Sequence, residues 1–133
     1  MPESTHTRWS DIPVEPLNPL IGRQFVVGTG TMLARVLLAK GAQVPLHSHI
    51  NEQITYILSG SLKFFMHEGG EPREVIVHAG EVLCIPPSVP HQAIALEDTV
   101  DLDIFNPPLL VDYTGIVILL ENVESRSPRC KAL

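Results

Sequence analysis

Gly41-Ala-Gln-Val-Pro-Leu-His47-Ser-His49-Ile-Asn-Glu52-Gln53-Ile-Thr-Tyr-Ile-Leu-Ser-Gly60 is the stretch on which the fold turns. In an extended strand residues two apart point to the same face, so His47 and His49 present two imidazoles side by side. A β-scaffold builds half of a metal site in this way. A third donor can follow after a short turn, and both Glu52 and Gln53 are available. A fourth can come from a distant strand: His91 follows Pro86-Pro87-Ser88-Val89-Pro90, a rigid turn that fixes its approach. Imidazole suits zinc, copper, iron and nickel, and an amide or carboxylate oxygen extends the range to manganese.

Outward from this stretch the pattern is strand after strand. Gln24–Val27, Thr31–Ala39, Ile54–Leu58, Leu62–His67, Glu74–His78, Val82–Ile85, Ala93–Leu96, Val100–Phe105 and Tyr113–Leu120 are short and rich in Val, Ile, Leu and Phe. Each is bounded by Gly, Pro, Asn or Asp. Val75 and Val77 share one face of their segment, and Asp101-Leu102-Asp103-Ile104 alternates strictly, with the acids opposite Leu102 and Ile104. Gly28-Thr29-Gly30 reads as a hairpin turn rather than a phosphate loop. Many short strands without intervening helices predict an all-β sandwich or barrel.

Composition agrees. At 133 residues the chain is the size of one domain, and it can bury roughly two-thirds of its unfolded surface. Apolar residues make 44% and charged residues 18%, which excludes disorder for most of the chain. Twelve prolines argue against a helical bundle. The net charge of −6 leaves no footprint for nucleic acid or for an anionic membrane surface. The apolar run Ile116–Leu120 is far shorter than the roughly 20 residues of a spanning helix. The start shows no basic region followed by an apolar stretch, so a cytoplasmic protein is expected. Cys84, in an apolar run, reads as core, and Cys130 lies in a polar segment, so no bridge between them is expected. The prolines at 2, 13, 16 and 19 predict an extended N-terminal arm over 1–20, anchored by Trp9 and Leu17. Residues 21–120 then form the barrel and 121–133 a polar tail.

Two motifs carry a family resemblance. Gly41, His47, His49 and Gly60 resemble the first motif of the cupins, a glycine, five residues, His-x-His, an acid and a closing glycine. When the closing six-residue gap is kept, the acid's place falls on Gln53. Glu52 is the alternative, but a one-residue slip turns a strand side chain to the other face. Gly80, Pro86 and His91 match the second motif, with Ser88 in place of its glycine and Ala95 in place of its asparagine. The resemblance implies a jelly-roll barrel holding a divalent transition metal (Zn, Ni, Fe, Mn or Cu) on His47, His49, Gln53 and His91. It also implies a homodimer, to which the N-terminal arm contributes. Gln53 in place of an acid leaves the ligand set neutral, so the ion keeps its full charge for polarising a substrate oxygen.

His-Ser-His-x-x-Glu-Gln, Leu-Ser-Gly, Ile-Pro-Pro-Ser-Val-Pro-His and Asp103-Ile-Phe-Asn-Pro-Pro together resemble the small cupins that linearise unsaturated uronic acids. In those proteins the acid matching Asp103 serves proton transfer, which makes Asp103 the candidate catalytic residue. An arginine usually follows Pro-Pro to grip a substrate carboxylate; here Leu109 stands there, and Arg35 is a strand arginine that could take over. The expected partner is a small-molecule substrate or ligand. A metal-dependent dioxygenase and a non-catalytic small-ligand-binding cupin are the rival readings of the same site.

Overall fold

A computed structural model of the chain describes residues 3–109. After a short 3-10 turn over Trp9–Asp11 come ten strands: β1 (Glu15–Asn18), β2 (Ile21–Val27), β3 (Met32–Leu38), β4 (Gln43–His47), β5 (Glu52–Ser59), β6 (Ser61–Met66), β7 (Arg73–His78), β8 (Val82–Ile85), β9 (His91–Ala95) and β10 (Thr99–Asn106). The expected strand Tyr113–Leu120 and the tail 121–133 lie outside the described residues, as does Cys130.

The strands form two antiparallel sheets, one in the order β1-β2-β3-β10-β5-β8 and the other in the order β4-β9-β6-β7. The inward faces of both build one core, in which Ile57 and Ile85 are fully buried and Phe25, Met32, Leu62 and Met66 nearly so. This is the all-β architecture that the strand pattern predicts, in the jelly-roll form that the cupin resemblance implies. Among the described residues no helix is long and apolar enough to cross a membrane.

Local chemistry sets the corners. Gly28 donates to the Thr31 carbonyl at 2.7 Å and closes the β2–β3 hairpin read from Gly28-Thr29-Gly30. Gly60, between β5 and β6, has a φ of +86°, and a Cβ there would stand 2.7 Å from Thr99 Cα. Only glycine fits that crossing. Pro45 sits in β4, an edge strand with a register shift between Val44 and His47, where the missing N–H removes no ladder bond from a central pair.

Three details differ from the sequence reading. β2 begins at Ile21, so Arg23 lies inside the strand with its side chain on the buried face shared by Ile21 and Phe25. Part of the expected arm, Glu15–Asn18, pairs with β2, and Leu17 packs against the core. Ahead of it, Gln24 Nε2 donates to the carbonyls of Trp9 and Ile12 at 2.8 and 2.6 Å, holding the incoming chain on the outer face of β2. Cys84, read as core, is exposed. It neighbours buried Ile85 on a strand, so alternation turns it outward: a β-edge with an apolar composition does not say which face is covered.

Ser88, at the place of the motif's glycine, keeps a left-handed φ of 66° while its N–H donates to the His49 carbonyl at 2.7 Å. A side chain in that region costs about 1–2 kcal/mol, offset in part by the larger unfolded-state freedom of glycine. Ser88→Gly should therefore raise stability by about 0.5–1 kcal/mol, read as a higher urea midpoint at unchanged slope.

Candidate metal centre

His47 and His91 are directly opposite each other in the β4–β9 pairing. His49 lies two residues past the end of β4, not within the strand as the sequence reading has it. Its ring nevertheless joins the other two, because the Ser88 N–H grips its carbonyl and Phe105 meets its ring edge-on at 5.8 Å. Ring centroids are 4.4 Å apart for His47 and His91, 5.2 Å for His49 and His91, and 5.5 Å for His47 and His49. One nitrogen of each lies within 4.8 Å of the others.

Hydrogen bonds select which nitrogens converge. His47 Nδ1 meets the Pro45 carbonyl at 2.8 Å, His91 Nδ1 the Val89 carbonyl at 2.8 Å, and His49 Nδ1 the Asn51 carbonyl at 3.0 Å. A carbonyl only accepts, so the neutral rings of His47 and His91 carry the proton on Nδ1 and present the Nε2 lone pair to the cluster, and His49 does the same when its proton serves the Asn51 carbonyl. Orienting a ligand histidine through its other nitrogen is what a metal site requires.

Gln53 approaches the three histidines from the opposite sheet. It is buried, whereas Glu52 is exposed. The structure thus brings Gln53 to the histidines and leaves Glu52 outside, as the closing gap of the motif implies. Gln53 Oε1 faces His49 Nε2 at 3.1 Å. A neutral His49 can donate to only one of Gln53 Oε1 and the Asn51 carbonyl, which leaves its other nitrogen lone pair against an oxygen, and His91 Nε2 is buried with no hydrogen-bond partner. Neither arrangement is favourable without a cation to receive those electrons. The donor set of three imidazoles and one amide oxygen fits a divalent transition metal.

The cavity behind the cluster is lined by His47, His91, Gln53, Asp101, Asp103 and Arg23, with apolar Phe105 and Leu109. Asp103 is 4% exposed, so it faces inward, on the face opposite Leu102 and Ile104. Thr55 donates to its Oδ1 at 2.8 Å. Asp101, two residues away on the same face, is equally buried.

Two functional candidates were not singled out in the sequence. Arg23, not Arg35, is the arginine of the cavity; Arg35 donates to Gln24 Oε1 at 2.8 Å on the other face of the sheet. Arg23 pairs with Glu15 at 3.3 Å and lies over the Phe25 ring. Its alternation with Ile21 and Phe25 was the available signal. Thr55 carried none, because its importance comes from a partner 48 residues away.

Burial dominates the electrostatics. It pushes His91 down to about 4 and holds His49 below the ordinary imidazole value, which keeps both rings neutral. Burial also raises Asp103 to about 6, against the hydrogen bond from Thr55 and the nearby polar groups of Asp101 and Gln53. Asp101 is pushed well above the carboxylate range by burial first and then by Asp103, so it holds its proton and donates to Asp103.

The two shifts act oppositely on stability. Between 4 and 6.5 the unfolded chain binds the His91 proton and the native one does not, so this contribution is present above 6.5 and lost toward 4. Between 3.8 and 6 the native state binds the Asp103 proton more tightly, so that contribution is lost as pH rises. In metal-free protein, His91→Gln should thus be relatively favoured in acid. The difference in unfolding free energy between variant and wild type should move by about 2–3 kcal/mol in the variant's favour from pH 7 to pH 4.5, measured by urea titration.

Residues 34–106, more than half of the chain, match the family profile described as Cupin domain. The chain is 27% identical over 84 residues to the 3-hydroxyanthranilate 3,4-dioxygenase of Ruegeria pomeroyi, a match covering 63% of this chain and 47% of that protein. It thus spans about half the length of that curated relative. Among solved structures it is similar to an RmlC-like cupin from Shewanella frigidimarina (TM-score 0.71, 23% identity, 81% of this chain and 96% of that one). It is also similar to KdgF from a Halomonas species (TM-score 0.70, 26% identity, 80% and 96%). With the matched profile running from β3 to the end of β10 and taking in all three histidines, the chain belongs to the cupin family.

Proposed function

We propose that the protein holds a divalent transition metal on His47, His49, Gln53 and His91 and acts on a small, oxygen-rich anion of the sugar-acid class, with unsaturated uronates first among them. The observation that carries this reading is the convergence of four neutral lone pairs on one side of a cavity whose wall holds a buried carboxyl, Asp103. The metal would supply Lewis acidity toward a substrate oxygen. Asp103, raised to about 6, stands where a carboxyl can take or give a proton near neutral pH. Leu109 occupies the place of the usual arginine and presents an apolar wall. Arg23 is then the cavity's own cation toward a substrate carboxylate. The motif resemblance to the uronate-linearising cupins and the structural likeness to KdgF support the same choice.

A dioxygenase is the second reading, supported by the likeness to 3-hydroxyanthranilate 3,4-dioxygenase. Iron with substrate-dependent oxygen uptake would favour it over the sugar-acid reading. A metal-loaded protein that binds a sugar acid without turnover would favour a binding cupin.

Replacing His49 and His91 together by alanine should abolish metal retention by protein purified without a chelating tag, as read by elemental analysis. Undiminished stoichiometric metal in that double variant would remove the proposed ligand set. Asp103→Asn, assayed at saturating metal, should lower turnover of unsaturated uronates, followed as loss of the conjugated alkene, by about two to four orders of magnitude. Equal turnover by this variant and wild type would rule out the proton-transfer role.

We also propose a homodimer in the cytoplasm, with the 1–20 arm contributing to the interface. The outer face of the six-stranded sheet supports the pairing, since Tyr56, Val82 and Ile104 expose apolar surface on three adjacent strands. Light scattering at micromolar concentration should give twice the chain mass; a monomer there would contradict the assembly.

A further inference from the structure

We propose that Thr55 and Asp103 are positioning residues that lock the Gln53 amide with its carbonyl toward the three histidines. The inference rests on the reading of Gln53 as a metal donor. Gln53 and Thr55 are two apart on β5 and share its inward face, and β10 pairs beside β5 with Asp103 opposite Thr55. All three side chains are buried, Thr55 completely. Thr55 Oγ1 lies 2.8 Å from Asp103 Oδ1, and Gln53 Nε2 lies 2.9 Å from Thr55 Oγ1.

The chemistry makes the chain directional. A carboxylate only accepts, so the Thr55 hydroxyl spends its single proton on Asp103. The hydroxyl oxygen then has only lone pairs left to offer, and the neighbour it can accept from is the Gln53 NH2. That leaves Gln53 Oε1 at the other end, facing His49 Nε2 at 3.1 Å. The two ends of an amide are nearly equal in size, so packing alone does not choose between them. Turned the other way, Gln53 would aim two N–H groups at the cluster and repel a cation. A glutamate in its place would need no such guidance, because either of its oxygens serves. The substitution of glutamine for the motif's acid therefore creates the need that Thr55 and Asp103 meet.

The test is the affinity for Zn(II), measured by competition with a chelating dye in the full-length protein. Thr55→Val keeps the shape and removes the hydroxyl; it should weaken binding about 10- to 100-fold, the usual effect of losing a partner that orients a ligand. Thr55→Ser should stay close to wild type. In a Gln53→Glu background the same Thr55→Val change should cost no more than about twofold, the scatter of independent substitutions. Thr55→Ala serves the same comparison if Thr55→Val does not fold. An equal loss in both backgrounds would assign the effect to packing and overturn the proposal. Unchanged affinity in Thr55→Val, with Gln53→Ala weakened, would overturn it while leaving Gln53 a donor. Unchanged affinity in Gln53→Ala would remove the donor reading itself.

Discussion

Strand β10 runs through the middle of the six-stranded sheet, paired with β3 on one side and β5 on the other, with Asp101 and Asp103 inward. Leu102 and Ile104 face out, and Ile104 is 43% exposed. The usual alternation of apolar side chains inward and polar ones outward is reversed here. Isolated carboxylates in an apolar core would be neutralised or unfold the site, so the interior must be polar around them. Asp101 keeps its proton, Thr55 donates to Asp103, and Arg23 with Glu15 adds an ion pair along the same wall. The polar half of the cavity exists because those two acids are inside.

From that wall the hydrogen bonds run toward the histidines through Thr55 and Gln53. The opposite sheet contributes His47 and His91, whose pairing brings two rings to 4.4 Å, tilted by 58°, before any ligand is considered. The centre is therefore shared between the sheets: neutral imidazoles come from one side, and an amide backed by carboxyls from the other. An ion held there would keep its charge at the first contact and meet an anionic side chain, Asp103, two hydrogen bonds further back. This differs from a site with a carboxylate ligand, where that charge is answered at once.

The outer surfaces are arranged separately. Gln24 and Arg35 lie on the outer face of β2 and β3 under the chain that enters through Trp9 and Ile12, so their polar groups serve to hold the N-terminal segment. Neighbouring positions on β2 thus have unrelated tasks: Arg23 lines the cavity and Gln24 anchors the entering chain.

The amino-acid sequence by itself determined the strand class, the hairpin at Gly28–Gly30, the shared face of Asp101 and Asp103 and the three histidines, because each follows from spacing along a few residues. Period-two alternation states which side chains share a face. Alternation could also have included Arg23, had β2 been read from Ile21. Only the tertiary structure decided that Arg23 rather than Arg35 reaches the cavity and that Cys84 points outward. It also decided that His49 joins its partners from beyond the strand end. The same holds for Thr55, which gains its role from Asp103, a residue 48 positions away. The physical reason is common to all four. A local pattern assigns a face, but which face is covered and what stands across from it depend on strands paired over long stretches of chain.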